Sequence, residues 1–199
     1  MKNAKKICLF LALVLMIGCF ASCSGSKESV KIETADDLVG KTIGVQLGTT
    51  GDIVIAGEIE GATVKQYAKA VDAAIALADG KIDAVIVDME PAKTIVAANP
   101  KLKIQESIKY DPEDYAIAVK KGNTELLGLI DVVLTEIKSD GSYDNLVKGF
   151  IDTPQDQRDA YITGEQVGTE GTLTVGTNAE FPPFEYTLDD GSVVGLDIE

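Results

Sequence analysis

The sequence predicts an α/β fold built on an open, mainly parallel sheet with helices on both faces. Two observations carry this expectation. From Glu33 onward, short β-type runs alternate with stretches of helical periodicity in the order β-α-β-α-β-α. The run Ile82-Asp83-Ala84-Val85-Ile86-Val87 is also nearly all apolar, as suits a central strand covered on both faces.

The elements follow in order. Thr42-Ile43-Gly44-Val45-Gln46 reads as a strand, Asp52 to Ile59 as a short helix, and Thr63-Val64-Lys65-Gln66-Tyr67 as a strand. Val71, Ala74, Ile75 and Ala78 fall at i, i+3, i+4 and i+7 and predict a helix buried along that stripe, closed by Gly80. Pro91 stands where the first turn of another helix begins, a position where its missing N–H costs nothing, and that helix runs to about Ala98. Further strands are expected near Leu102–Gln105 and Tyr115–Lys120. Asn123 is an N-cap candidate for a long helix with Leu126, Ile130, Val133 and Ile137 on one face, and a second helix covers Tyr143 to Phe150. The polar stretch 152–170 reads as a linker, and the tail resumes with a strand at Leu173–Val175.

The first residues concern export. Met1 to Lys6 is basic, and Ile7 to Ala21 is an apolar run too short to span a bilayer comfortably. Phe20-Ala21-Ser22-Cys23 resembles a bacterial lipobox, with Phe20 unusual as its first residue. Met16-Ile17-Gly18-Cys19 fits as well, and the polar tether after Cys23 favours the second site. The expectation is a lipoprotein signal peptide over 1–22, a tether over 23–32 and a lipid anchor through Cys23 at the cell membrane, against a plain secreted protein or an uncleaved anchor.

Composition then excludes chemistry. Cys8, Cys19 and Cys23, the three cysteines of the chain, lie in this leader, and there is no histidine. The exported body therefore has no disulfide, thiolate nucleophile, Ser-His-Asp triad or His- or Cys-based zinc site, and no cofactor is expected. Without residues 1–22 the chain carries 15 Lys and Arg against 32 Asp and Glu, a net charge of −17. Phosphate backbones would be repelled, so nucleic acid is not an expected partner.

Two loops at strand carboxyl ends are the candidate site. Gln46-Leu47-Gly48-Thr49-Thr50-Gly51-Asp52 joins a strand to a helix N-terminus, where N–H groups, the helix dipole and the hydroxyls of Thr49 and Thr50 suit a small anion. The same residues also serve as an ordinary capped helix start. Asp88 ends the apolar strand, where an acid can pair with a cation in the crevice or cap the following helix. Together the loops suit a zwitterion such as an amino acid, whose carboxylate needs donors and whose ammonium needs a carboxylate.

Three stretches, Lys41 to Thr50, Gly80 to Asp88 and Tyr115 to Asn123, resemble the polar amino acid-binding proteins of bacterial ABC importers, solute-binding family 3. The resemblance implies a periplasmic-binding-protein-like type II fold and the role of a substrate-binding component. Such a component captures an amino acid between two lobes and delivers it to an ABC permease in the membrane. It also implies that Gln46, Gly48, Thr49 and Thr50 face the ligand carboxylate and that Asp88 partners the ammonium. The tail from Val175 to Glu185, with Gly195 to Ile198, resembles the family's lobe 1 beginning, here placed last. Residues 33–115 are then lobe 2, 116–151 the returning crossover strand and lobe 1 helices, and 171–199 the incomplete start of lobe 1. Phe181 is placed as the aromatic on the ligand side chain or as a core aromatic. Asn178 replaces an acid found in some cation-binding relatives, which disfavours Lys, Arg or His as ligand.

The alternatives are the same fold as sensory input to a signalling protein, and a dehydratase using Asp88 or Glu90. Lack of histidine, body cysteine and metal clusters argues against an enzyme.

Overall fold

The computed structural model describes residues 31–162 and 171–199. The expectations for the signal peptide, for Cys23 and for most of the tether and part of the linker lie outside the described residues.

The first sheet is three-stranded and parallel, in the order β2-β1-β3, with β1 at Thr42–Gln46, β2 at Thr63–Tyr67 and β3 at Ala84–Ile86. Its centre is β1, in which Ile43 and Val45 are fully buried. On one side these residues join Leu38 and Ala56 in a core that Ile59, Val64, Ala84, Ile86 and Ile108 extend. On the other side Gly44 faces Ala73, Ile82 and the Tyr67 ring, and a Cβ at Gly44 would stand 3.2 Å from that of Ala73.

That close approach decides how helix α1 (Ala70–Ala78) lies. Its buried residues are Ala70, Ala73, Ala74 and Ala76, while Val71 and Ile75 are 44% and 51% exposed. The buried stripe is therefore turned from the expected one by about one residue, or roughly 100°. A helix drawn down onto a glycine needs alanines at the contact, and the larger branched side chains are turned outward.

The apolar run 82–87 is also placed differently from expectation. Only Ala84–Ile86 pair, at the edge of the described sheet, and their burial is partial. Asp83 fixes the register there, since its carboxylate accepts the Thr42 N–H at 2.8 Å while its own N–H donates to the Thr42 carbonyl. Helix α2 (Met89–Ala98) follows with Pro91 buried in its first turn. The expected helix at 52–59 is a π-type turn at Gly51–Ile55 followed by a 3-10 turn at Ala56–Glu58.

The segments 102–105, 115–120 and 173–175 form no ladder among the described residues, so the strands expected there are not made. An extended run becomes a strand only where a partner offers its backbone, and none of these three runs pairs with the open outer edge of β3.

Helix α3 (Thr124–Asp140) begins as expected at Asn123, whose side-chain oxygen accepts the Leu126 N–H, and ends at Gly141 in the left-handed region. None of its residues is buried. Leu126, Ile130 and Ile137 are half-covered, but Val133 is exposed and Leu134 takes its place on the covered stripe. Helix α4 (Ser142–Val147) runs into a π-type turn at Lys148–Asp152 that buries Phe150 completely. A 3-10 helix occupies Gln155–Tyr161, with the Tyr161 ring over Gly149.

The tail folds into an antiparallel meander of β4 (Glu180–Phe181), β5 (Glu185–Thr187) and β6 (Val193–Val194). Phe181, Pro183, Tyr186 and Val194 are its buried apolar side chains. The turn to β6 uses Gly191 at φ 88° and the Asp190 carboxylate, which accepts the Ser192 N–H.

Truncating the fully buried Ile43 to alanine should destabilise the protein by about 2–5 kcal/mol, read from urea denaturation followed by far-UV circular dichroism. A loss below about 1 kcal/mol would show that β1 is not the centre of the core.

Candidate functional site

A cleft of about 260 Å³ opens at the carboxyl end of β1, lined by the loop Gln46–Thr49, by Tyr115, and by Asn178, Phe181, Phe184, Glu185 and Asp197 of the tail. Ligands of open α/β sheets collect at this end of the strands because loops and helix starts converge there.

The loop is shaped by Gly48 and Asp52. Gly48 has φ 83°, a conformation that favours glycine, and it lets the chain turn back over the strand end. Its N–H donates to the Asp52 carboxylate at 2.9 Å, which Gln66 also holds through its side-chain amide at 2.8 Å. These donors, with the Gly48 N–H foremost, hold the Asp52 carboxyl below its usual range. The Thr49 hydroxyl donates to the Gln46 carbonyl at 2.9 Å. One N–H of the anticipated anion cradle is thus already satisfied by an internal acid.

Gln46, Gly48, Thr49, Asn178 and Phe181, all anticipated from the sequence, come together on the cleft wall. Thr50 and Asp88 are not part of that lining. The Thr50 hydroxyl donates to the Glu113 carboxylate. Asp88 occupies the N-cap position of α2 without capping it, and its carboxylate accepts the Tyr115 hydroxyl at 2.5 Å. Burial pushes the Asp88 carboxyl up; the Tyr115 bond opposes this, and the charge of Glu113 adds to it. Burial likewise raises the Tyr115 phenol, and its bond to Asp88 raises it further.

Tyr115, Phe184, Glu185, Asp197 and Leu47 line the cleft without having been singled out as site residues. The three aromatics form one wall, with ring centroids 4.7 Å apart for Tyr115 and Phe184 and 5.9 Å apart for Phe181 and Phe184. A signal was available in Phe184-Glu185-Tyr186, where an acid sits between aromatics on a strand whose neighbours are buried.

Glu185 is 7% exposed, and one of its carboxylate oxygens has no hydrogen-bond partner. Burial and the charge of Asp197 push its carboxyl up to about 7, against the pull of the Thr177 hydroxyl and the Asn178 N–H. Burial raises Asp197 too, while its hydrogen bond with Glu185 lowers it. Gln46 is 2% exposed, and its side-chain oxygen also lacks a donor. Both unpartnered oxygens are buried, and among the described residues the lining of the cleft carries no Lys or Arg.

An ion pair ties the tail to the parallel sheet's first helix: Lys69, the N-cap residue of α1, meets Glu180 of β4 at 2.6 Å. Among the described residues no group of three or more acids, cysteines or histidines is placed to hold a metal ion.

A polar, aromatic-walled cleft at the carboxyl end of a parallel sheet is where open α/β folds receive small ligands. The comparisons with known proteins agree. No family model matches the chain. It is 34% identical over 125 residues to a probable histidine-binding protein of Campylobacter jejuni, covering 62% of this chain and 48% of that one. It is also 34% identical over 121 residues to a putative ABC transporter arginine-binding protein of Escherichia coli, covering 58% and 49% of the two chains. Among solved structures, a mutant of ArgBP from T. maritima superposes with a TM-score of 0.58 at 41% identity, over 64% of this chain and 55% of the other. The substrate-binding protein of an amino acid ABC transporter gives 0.57 at 35% identity, over 61% and 55%. The chain is similar to these amino-acid-binding proteins, in line with the resemblance to solute-binding family 3, and it spans about half the length of the relatives it matches.

Because the folded protein holds a proton on Glu185 that the unfolded chain releases from about pH 4.5 upward, this group's contribution to stability falls as pH rises from 4.5 to 7. Glu185→Gln should therefore flatten the loss of stability between pH 5 and pH 7.5 in urea melts. An unchanged pH profile would mean that Glu185 titrates as an ordinary surface acid.

Proposed function

We propose that this chain supplies the ligand cleft of an extracytoplasmic substrate-binding component, which captures an amino acid and delivers it to an ABC permease in the membrane. The observation that carries the reading is the convergence of the Gln46–Thr49 loop, the aromatic wall and the buried acids in one cleft, in a chain related to amino-acid-binding proteins.

The ligand carboxylate lies against Gly48, Thr49 and Thr50. Thr50 reaches it by exchanging its bond to Glu113 for one to the ligand. Asp88 meets the α-ammonium with help from Tyr115, whose hydroxyl already holds one carboxylate oxygen. Phe181 and Phe184 pack on the ligand side chain. No bond is made or broken in this role, so hinge closure over the ligand takes the place of turnover. In this reading residues 33–115 are lobe 2, 116–151 the return to lobe 1, 152–170 a linker, and 171–199 the lobe 1 strand and ligand loop placed last.

The leader supports attachment through Cys23. Replacing Cys23 by serine should abolish incorporation of labelled palmitate and release the protein from the membrane fraction; undiminished labelling would exclude this site.

Binding itself is tested by thermal shift of the soluble chain against the twenty amino acids. An amino acid at about 100 times its dissociation constant should stabilise the protein by about 2.7 kcal/mol and raise its midpoint by several degrees. Thr49→Val should remove most of that rise, and no rise with any amino acid would overturn the reading.

A further inference from the structure

Thr50 and Asp88, both anticipated as ligand contacts, are absent from the cleft lining, and one short segment of the chain engages both. The Thr50 hydroxyl donates to the Glu113 carboxylate, and the Tyr115 hydroxyl donates to the Asp88 carboxylate at 2.5 Å. Glu113 and Tyr115 are two residues apart, the spacing that sets side chains on one face of an extended chain. Both reach the loops that follow β1 and β3. Little else fixes the segment: residues 109–119 belong to no helix or ladder and make no backbone hydrogen bond among the described residues, and Glu113 is exposed.

The two side chains are held unequally. Tyr115 is gripped on two sides, by Asp88 at its hydroxyl and by Phe184 at its ring, with centroids 4.7 Å apart. Glu113 holds the Thr50 hydroxyl but also stands near Asp88, where its charge opposes the charge of that acid. Tyr115 is the anchor, and Glu113 is the group that can leave.

We propose that Glu113 is a built-in competitor for the ligand's carboxylate: in the free protein its own carboxylate holds the Thr50 hydroxyl, and an amino acid must displace it to bind, so that Glu113 sets the affinity of the site. The inference rests on the amino acid-binding reading and names the residue that tunes it. A carboxylate tethered two residues from a fixed anchor meets Thr50 at an effective concentration on the order of millimolar. The binding-competent state is then a fraction of the free protein, and the apparent dissociation constant rises by the inverse of that fraction. At Thr50 the exchange is like for like, one carboxylate for another. At Asp88 it is a gain, since Glu113 withdraws a like charge and the ligand's ammonium brings an opposite one. A zwitterion can therefore evict Glu113, whereas a plain carboxylic acid only matches it.

The test compares wild type, Glu113→Ala, Thr50→Val and the double variant, with Asp114→Ala as a control that removes the same charge from the next residue. The twenty L-amino acids are the probes, first by thermal shift and then, for each that raises the midpoint, by isothermal titration calorimetry. Glu113→Ala should tighten binding roughly three- to tenfold, the gain expected on removing a competitor that holds Thr50 most of the time. That gain should vanish in the Thr50→Val background, which has no hydroxyl to compete for, and Asp114→Ala should change affinity by less than about twofold. Unchanged or weaker binding by Glu113→Ala overturns the inference and leaves the amino acid-binding reading standing. A gain that survives Thr50→Val, or that Asp114→Ala reproduces, does the same. Binding of no amino acid by any of these proteins overturns both. If Thr50→Val does not fold, the comparison of Glu113→Ala with Asp114→Ala decides alone.

Discussion

The burial of β1 on both faces is the constraint on which the rest depends. Ile43 and Val45 fill one side, and the absence of a side chain at Gly44 lets an alanine-faced helix come down on the other. A strand gripped in this way holds its last residue in a fixed place. Gln46 is that residue, and it carries the loop that turns through Gly48 over the cleft. Asp52 then keeps the loop from opening, by accepting the Gly48 N–H and the Gln66 amide together. The position of the site is therefore a consequence of core packing, and the loop adds little beyond its own hydrogen bonds.

The opposite wall is made differently. The meander of the tail is short, and its buried apolar residues are few, so it draws support from what it touches: the Tyr115 ring against Phe184 and the Lys69–Glu180 ion pair. The ion pair is partly exposed, and pairs of that kind contribute about 0–1 kcal/mol, so the aromatic contact stabilises this wall more than the ion pair does. An arrangement in which one wall is fixed by the core and the other by a few contacts suits a cleft that opens and closes around a ligand.

Much of this is legible in the sequence, for identifiable reasons. Strands β1 and β2 have the expected bounds because a continuous run of strand formers flanked by turn residues admits one reading. The Asn123 cap and Gly141 stop of α3 are local signals, and the helix obeys both. The face of α1 escapes a hydrophobicity pattern because that pattern ranks Val71 and Ile75 above alanine, while the contact with Gly44 selects for smallness. Apolarity alone puts the run 82–87 at the middle of the sheet, but strand order depends on partners far away in sequence, and here β1 takes the centre. Among the site residues, those near glycines and threonines of the first loop announce themselves. Glu185 is marked only by its place between Phe184 and Tyr186, and Asp197 by nothing local, since its partial burial arises only when the meander folds.

The central claim is that one cleft at the end of β1 receives an amino acid between the Gln46–Thr49 loop and the tail. The most direct measurement is a series of ¹⁵N–¹H correlation spectra of the labelled chain during titration with L-arginine. The account predicts saturable shifts concentrated at Gly48, Thr49, Tyr115, Asn178 and Glu185, on both walls at once. Saturable shifts confined to α3 and α4, or none that saturate, would contradict it.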